Sequence, residues 1–243
     1  MTDPLFLAST EVLASTGVGS VVVLDGAEGR HAADVRRLRA GEAIDLSDGR
    51  GLLLHGEVAD VGRGTVSVSV RAVEHVPARE PRFVVVQALA RGGRDEDAVE
   101  AMTEVGVDEV VGWAASRSVA KWTDKSEARW LATARAAAKQ SRSPWVPTVT
   151  GPATTEDVAV RVGRAALGVV LHEEAEEPLA SVDVPAGGEV VVVVGPEGGV
   201  APGELTQFAA AGARVCRLGD RVLRSSTAGV AALSVLSAAT RWR

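Results

Sequence analysis

The run Val190-Val191-Val192-Val193-Val194, followed at once by Gly195-Pro196-Glu197-Gly198-Gly199, limits what this chain can fold into more than any other stretch. Five β-branched residues in succession leave no polar face, so they predict a strand buried on both sides, as in a parallel sheet. The glycines then let the backbone turn tightly and approach a ligand without a Cβ in the way. Pro202 suits the first turn of a following helix, and Gly212 suits its end. A second glycine turn comes next, Leu218-Gly219-Asp220-Arg221-Val222-Leu223-Arg224-Ser225-Ser226-Thr227-Ala228. The order is strand, glycine loop, helix, strand, second loop, helix. Ligands of open α/β sheets bind at the carboxyl ends of such strands.

Neither loop is a common phosphate cradle. No Lys-Ser/Thr follows the glycines, which excludes a Walker A loop, and the G-x-G-x-x-G spacing of dinucleotide folds is absent. A glycine turn after a strand can also be no more than a tight connection; the pairing of two such loops is what points to a ligand.

Elsewhere the β pattern is different. Up to about Val76 the chain reads as short strands: Val21–Leu24, Ala43–Leu46, Gly51–Val58 and Thr65–Val70. Asp48-Gly49 is a hairpin turn, and Gly62-Arg63-Gly64 is another. Thr65–Val70 alternates with period two, so one face should be buried. His31–Leu38 reads as the single helical piece, and Arg36, Arg37 and Arg39 read as lying close together on that one short helix. Short strands with tight turns favour a small barrel. Pro77-Ala78-Arg79-Glu80-Pro81 reads as a linker, which divides the chain into residues 1–76 and 77–243. Beyond it, strands at Phe83–Ala90, Val107–Trp113, Val169–Leu171 and Val190–Val194 alternate with helices near Asp95–Val105 and Lys125–Ser141. That alternation means a parallel sheet.

Charge is informative through its distribution. The net charge is -6, which argues against a protein that coats nucleic acid indiscriminately. Yet Arg117, Lys121, Lys125, Arg129, Arg135, Lys139 and Arg142 cluster in one segment, and arginines dominate from Arg214 onward. Such segregation suits a specific RNA contact, or simply exposed helices. Cys216 is the single cysteine, so there is no internal disulfide and no cysteine zinc site. No apolar run reaches membrane-spanning length and no secretion signal opens the chain, which points to the cytoplasm.

The glycine motifs carry a resemblance. GPEGG, then LG-x-R-V-L-R-S-x-TA, resembles the SPOUT class of RNA methyltransferases, and within it the ribosomal RNA small subunit methyltransferase E family. Ala101–Val107 resembles the family's K-A-T-E-L-G-V, Ala136–Arg142 its E-A-x-x-Q-S-x-R, and His31 with Val35–Arg39 its H-x-x-x-V-L-R. Two positions depart: Ser226 stands where the family often has Glu, and Arg91 where it commonly has Lys. The resemblance implies an N-terminal PUA-like RNA-binding β-barrel and a C-terminal SPOUT α/β domain with a parallel sheet and a trefoil knot. It also implies a homodimer that transfers a methyl group from S-adenosylmethionine (SAM) to N3 of a uridine in 16S rRNA of the small ribosomal subunit, with no metal and no membrane. The alternatives are a SPOUT enzyme with another RNA target and an inactive ribosome-assembly factor.

Under that reading, SAM is cradled by Gly195, Pro196, Glu197, Gly198, Gly199, Leu218, Gly219, Val222 and Leu223. Leu171 and His172 form a third wall, and Thr227 is a weaker candidate. Uridine N3 must lose a proton, so something must stabilise the anion or accept the proton. Arg224 either stabilises the anion or pairs with Glu197 or Asp220 to hold the loop. Glu197 is a base or a structural carboxylate. Ser225, Ser226 and Thr227 can be explained as helix caps. Arg36, Arg37 and Arg39 are candidates for gripping RNA phosphates. Trp113, Trp122 and Trp145 either stack on bases or pack.

Overall fold

The computed structural model describes residues 3–243. They form two compact units: one takes in the chain up to Ala78 together with Ala138–Val146, the other is Arg79–Ala137 with Pro147–Arg243.

The first unit contains β1 (Leu5–Leu7), α1 (Thr10–Ala14), β2 (Val21–Leu24), α2 (Gly26–Arg30), β3 (Ala43–Ser47), β4 (Leu52–Gly62) and β5 (Thr65–His75). The strands make a mixed sheet in the order β1-β3-β4-β5-β2, parallel only between β1 and β3. The alternating residues of β5 behave as a half-buried strand should: Val66, Val68 and Val70 join a core with Phe6, Ile44 and Leu54. The β3–β4 turn is closed by Asp48, whose Oδ1 accepts the N–H groups of Arg50 at 2.7 Å and Leu52 at 3.1 Å. His55 on β4 lies 2.8 Å from Asp45 and 3.2 Å from Glu74. Ala138–Val146 belongs here through the main chain: Gly51 N–H donates to Pro144 O at 3.0 Å and Val146 N–H to Gly49 O at 2.9 Å.

The helix expected at His31–Leu38 is displaced, and it is not the only one. α1 precedes it, and α2 starts at Gly26 and runs into a single π turn, His31–Val35. Arg37 then takes a φ of 54°, which ends the helical path. Arg36, Arg37 and Arg39 are all exposed, but they lie on a helix end, a left-handed residue and a turn rather than on one helix. Local periodicity could not show this, because the stop is a left-handed non-glycine residue.

The second unit contains β6 (Arg82–Ala88), α3 (Arg94–Glu104), β7 (Glu109–Trp113), α4 (Ser126–Ser141) up to Ala137, β8 (Thr148–Ala153), α5 (Thr155–Arg164), β9 (Leu167–Leu171), β10 (Glu177–Pro178), β11 (Glu189–Val194), α6 (Pro202–Ala210), β12 (Arg214–Arg217) and α7 (Ser225–Ala239). Its seven strands are all parallel, ordered β10-β12-β9-β11-β6-β7-β8. β11 lies at the centre, with Val190–Val194 at 2% exposure or less, as its unbroken valines require. α5 and α6 cover one face with Val158, Val162 and Phe208; α3 packs on α7, which lies against β6 and β11. Trp113 is fully buried against Phe208, and Trp122 packs edge-on against Trp130, so for these two packing is the role observed.

At the amino ends of the strands, four charged residues from β6, β7, α5 and β11 share one cluster. Arg161 Nη1 and Nη2 each donate to Glu109 at 2.7 Å, and Arg161 Nε donates to Glu189 at 2.8 Å. Arg82 donates to both carboxylates at 2.6 Å. The carboxyl ends, on the opposite side of the sheet, are left for the cleft.

Candidate active site

β12, β9 and β11 are neighbours, so their carboxyl ends bring three distant segments together: Leu171–Glu173, Val194–Val200 and Arg217–Ala228. With Arg94 from the start of α3 they line a cleft of about 300 Å³. Of the residues singled out in the sequence, Leu171, His172, Gly195, Pro196, Glu197, Gly199, Leu218, Gly219, Val222, Leu223 and Arg224 line it. Gly198 and Thr227 do not. Gly198 instead faces Arg117, whose Nη1 donates to its carbonyl at 2.9 Å. Thr227 sits in the first turn of α7, its N–H bonded to Arg224 O at 2.9 Å.

The two glycine loops differ in how they satisfy their backbone. The first is closed by a bond of its own and one from Arg117: Gly199, at φ 73°, donates to Pro196 O at 2.8 Å, and Gly198 O accepts from Arg117. A Cβ on Gly195 would stand 2.9 Å from Val200 Cγ2, so only glycine permits this turn. The second loop is the opposite. No backbone N–H or C=O of Leu218–Leu223 is hydrogen-bonded among the described residues. Gly219–Val222 are exposed, so the backbone of this segment beside the cleft is open to solvent or to a ligand.

The side chains add charge and polarity. Glu197 pairs with Arg94 at 3.4 Å. It accepts no loop N–H bond, so the expected structural carboxylate is an ion pair to α3 instead. Arg224 is exposed and makes no ion pair among the described residues; neither Glu197 nor Asp220 holds it. His172 Nδ1 accepts the N–H of Glu174 at 3.2 Å, which assigns the ring proton to Nε2 when the imidazole is neutral. Two residues that line the cleft each carry a buried side-chain atom with no hydrogen-bond partner among the described residues, Arg217 Nε and Ser225 Oγ.

The serines do not cap α7. Arg224 occupies the N-cap position, without a side-chain cap bond, and Ser225 is the first helical residue. Sequence reasoning missed Arg94, Glu173, Arg217 and Ser225. Arg217 directly precedes the second loop, and Ser225 lies within it but was read only as a helix cap. Arg94 carries no local signal, because only tertiary packing brings α3 to the cleft. Among the described residues no His/Cys/Asp/Glu group could hold a metal ion, and no helix is long and apolar enough to cross a membrane. Burial pushes the Cys216 thiol up to about 11, which makes it a poor nucleophile.

The comparisons with known proteins agree with this layout. Residues 78–237 match the RNA methyltransferase domain family, and residues 24–71 match the RNA methyltransferase PUA domain. Fold and cleft are thus those of an RNA methyltransferase with an attached PUA domain. The chain is 44% identical over 233 residues to ribosomal RNA small subunit methyltransferase E of Mycobacterium bovis, covering 92% of this chain and 89% of that one. It is 28% identical to the Bacillus subtilis protein of the same name, covering 88% of each. A Legionella pneumophila protein solved in complex with the cofactor SAM superposes with a TM-score of 0.84 at 25% identity, covering 99% of each chain. The chain belongs to the ribosomal RNA small subunit methyltransferase E family.

Proposed function

We propose that this protein transfers a methyl group from SAM to N3 of a specific uridine in 16S rRNA of the small ribosomal subunit. The observation that carries the reading is the cleft at the ends of β9, β11 and β12, in a chain whose two parts match an RNA methyltransferase domain and its PUA domain. The residues present fit SAM. The cleft lies at the small end of the roughly 300–1,000 Å³ range of ligand sites. The unpaired backbone of Leu218–Leu223 can read an adenine edge while Leu171, Val194 and Leu223 give it an apolar slot. Gly195–Gly199 allows close approach.

SAM supplies a methyl carbon activated by a sulfonium, so no metal is needed. The chain's task is to hold donor and nucleophile in line and to stabilise the uridine anion. Methyl transfer at N3 would require the ring to lose its N3 proton, so the chain's part is to favour that anion and hold it facing the donor. Arg224, exposed at the rim and not committed to an ion pair, is the electrostatic stabiliser. Glu197, tied to Arg94, shapes the loop and is the weaker catalytic candidate. In the first unit, Arg36, Arg37 and Arg39 grip phosphates and position the RNA. The reading extends to residues 1–76 as the docking domain and 77–243 as the catalytic domain, to a trefoil knot in the latter, and to a cytoplasmic homodimer; each is what the family resemblance implies.

Nucleoside mass spectrometry of rRNA from cells with and without the gene tests the reaction. Loss of 3-methyluridine is expected; an unchanged profile overturns it.

A further inference from the structure

The start of α7 is built like an anion site. Thr227 and Ala228 donate their N–H groups to Arg224 O at 2.9 Å each, but the N–H groups of Ser225 and Ser226 have no partner among the described residues. No side chain caps the helix. The amino end of this 15-residue helix carries the positive pole of its dipole. An independent observation points to a ligand. Ser225 is only 6% exposed, lines the cleft, and its Oγ is buried without a hydrogen-bond partner. A buried hydroxyl left unpaired is costly, and protein interiors rarely keep such a group unless something else completes it.

We propose that Ser225 Oγ and the free N–H groups at the start of α7 form the oxyanion site for the target base, donating to a carbonyl oxygen of the deprotonated uracil ring. This rests on the uridine reading above and adds donors that Arg224 alone does not supply. Loss of the N3 proton spreads negative charge onto the two flanking carbonyl oxygens, so fixed donors there stabilise the anion more than the neutral base.

The cofactor's amino-acid end is a competing anion, and the cleft offers it another place. Glu173 Oε1 and Arg117 Nη1 both lie 3.9 Å from where a Cβ on Gly199 would stand. Glu173 lines the cleft and Arg117 stands outside its lining, with Nη1 donating to Gly198 O; a carboxylate and a guanidinium beside the same glycine complement an ammonium and carboxylate pair. With that corner suited to the zwitterion and the Leu218–Leu223 backbone suited to adenine, the α7 corner beside Arg224 is left to the base.

The test uses the full-length protein with small subunits from cells lacking the gene. Ser225→Ala should keep SAM affinity within about twofold by calorimetry while the methylation rate falls about 10²-fold, the usual scale for one oxyanion donor. The pH at which the rate levels off should rise, by about one unit for each tenfold loss, because the variant no longer favours the anion. Substrate carrying 5-fluorouridine, whose N3 ionises more readily, should recover much of the loss. Ser225→Thr, which keeps the hydroxyl, should retain both rate and pH profile, and it separates the donor from helix packing. An unshifted pH profile in Ser225→Ala overturns the proposal, and so does a loss confined to SAM affinity, which would assign the hydroxyl to the cofactor. Failure of the wild-type protein to form 3-methyluridine would instead refute the underlying reaction.

Discussion

The charge cluster at the amino ends of the strands predicts a specific pH dependence of stability. Burial pushes the Glu109 carboxyl up, but hydrogen bonds from Arg161 and then Arg82, with their charges, win and hold it at about 2. Its ordinary value is 4.5, so folding favours the ionised form by about 2.5 units, or about 3 kcal/mol. The side chain is 10% exposed, so solvent screens this little. Because the folded value is depressed, the stabilisation is fully present above pH 4.5 and is lost as pH falls through the window from 4.5 to about 2. Glu109→Gln removes the charge and leaves Arg82 and Arg161 with Glu189 alone. At pH 7 the variant should be less stable by about 3 kcal/mol, a fall in Tm of about 6–12 °C. The gap should close as both proteins are titrated toward pH 2. Thermal unfolding by circular dichroism across pH 2–7 measures it. SAM affinity at pH 7 is the control, since the cleft lies at the other end of the strands. A gap that stays constant across the window, or one near zero at pH 7, refutes the reasoning.

Arg224→Ala should leave Tm unchanged, since the side chain makes no ion pair among the described residues, and should keep SAM affinity while lowering turnover by about 10²–10³-fold; parallel loss of binding and turnover would make it a structural arginine. Gly195→Val should abolish SAM binding in calorimetry, because the new Cβ would press on Val200 at 2.9 Å and displace the loop; a wild-type dissociation constant would show that the loop does not touch the cofactor. Replacing Arg36, Arg37 and Arg39 by glutamine should weaken RNA binding and flatten the slope of log affinity against log salt by about 2, at roughly 0.7–0.9 per phosphate contact. An unchanged slope would move the contact elsewhere, most directly to the basic segment around Arg117.

Some features were legible because their causes are local. Val190–Val194 has no polar face to present to water, so a central strand was its only economical fate. Gly195, Gly199 and Gly219 mark turns because backbone sterics act within a few residues. Pro202 and Gly212 bracket α6 for the same reason. α5 was missed although a signal existed: Thr154 and Asp157 form a capping box and Val158 and Val162 recur at helical spacing. β8 was hidden by Gly151-Pro152 within it, residues that normally argue against a strand.

What the sequence by itself determined, then, is the two glycine loops, the parallel strands that carry them and the cofactor class their resemblance implies. Only the tertiary structure decided which residues meet. The pairing of β9 with both β11 and β12 sets Leu171 and His172 between the loops, and the packing of α3 brings Arg94 to Glu197 across 103 positions. The Arg82–Glu109–Arg161–Glu189 cluster and the return of Ala138–Val146 to the β3–β4 turn are of the same kind. Ser225 is the clearest case: its sequence context reads as a helix cap, and only the tertiary structure shows its Oγ buried without a partner among the described residues. Propensities and turns depend on near neighbours along the chain, whereas burial and unpaired polarity depend on segments that meet only once the sheet has formed.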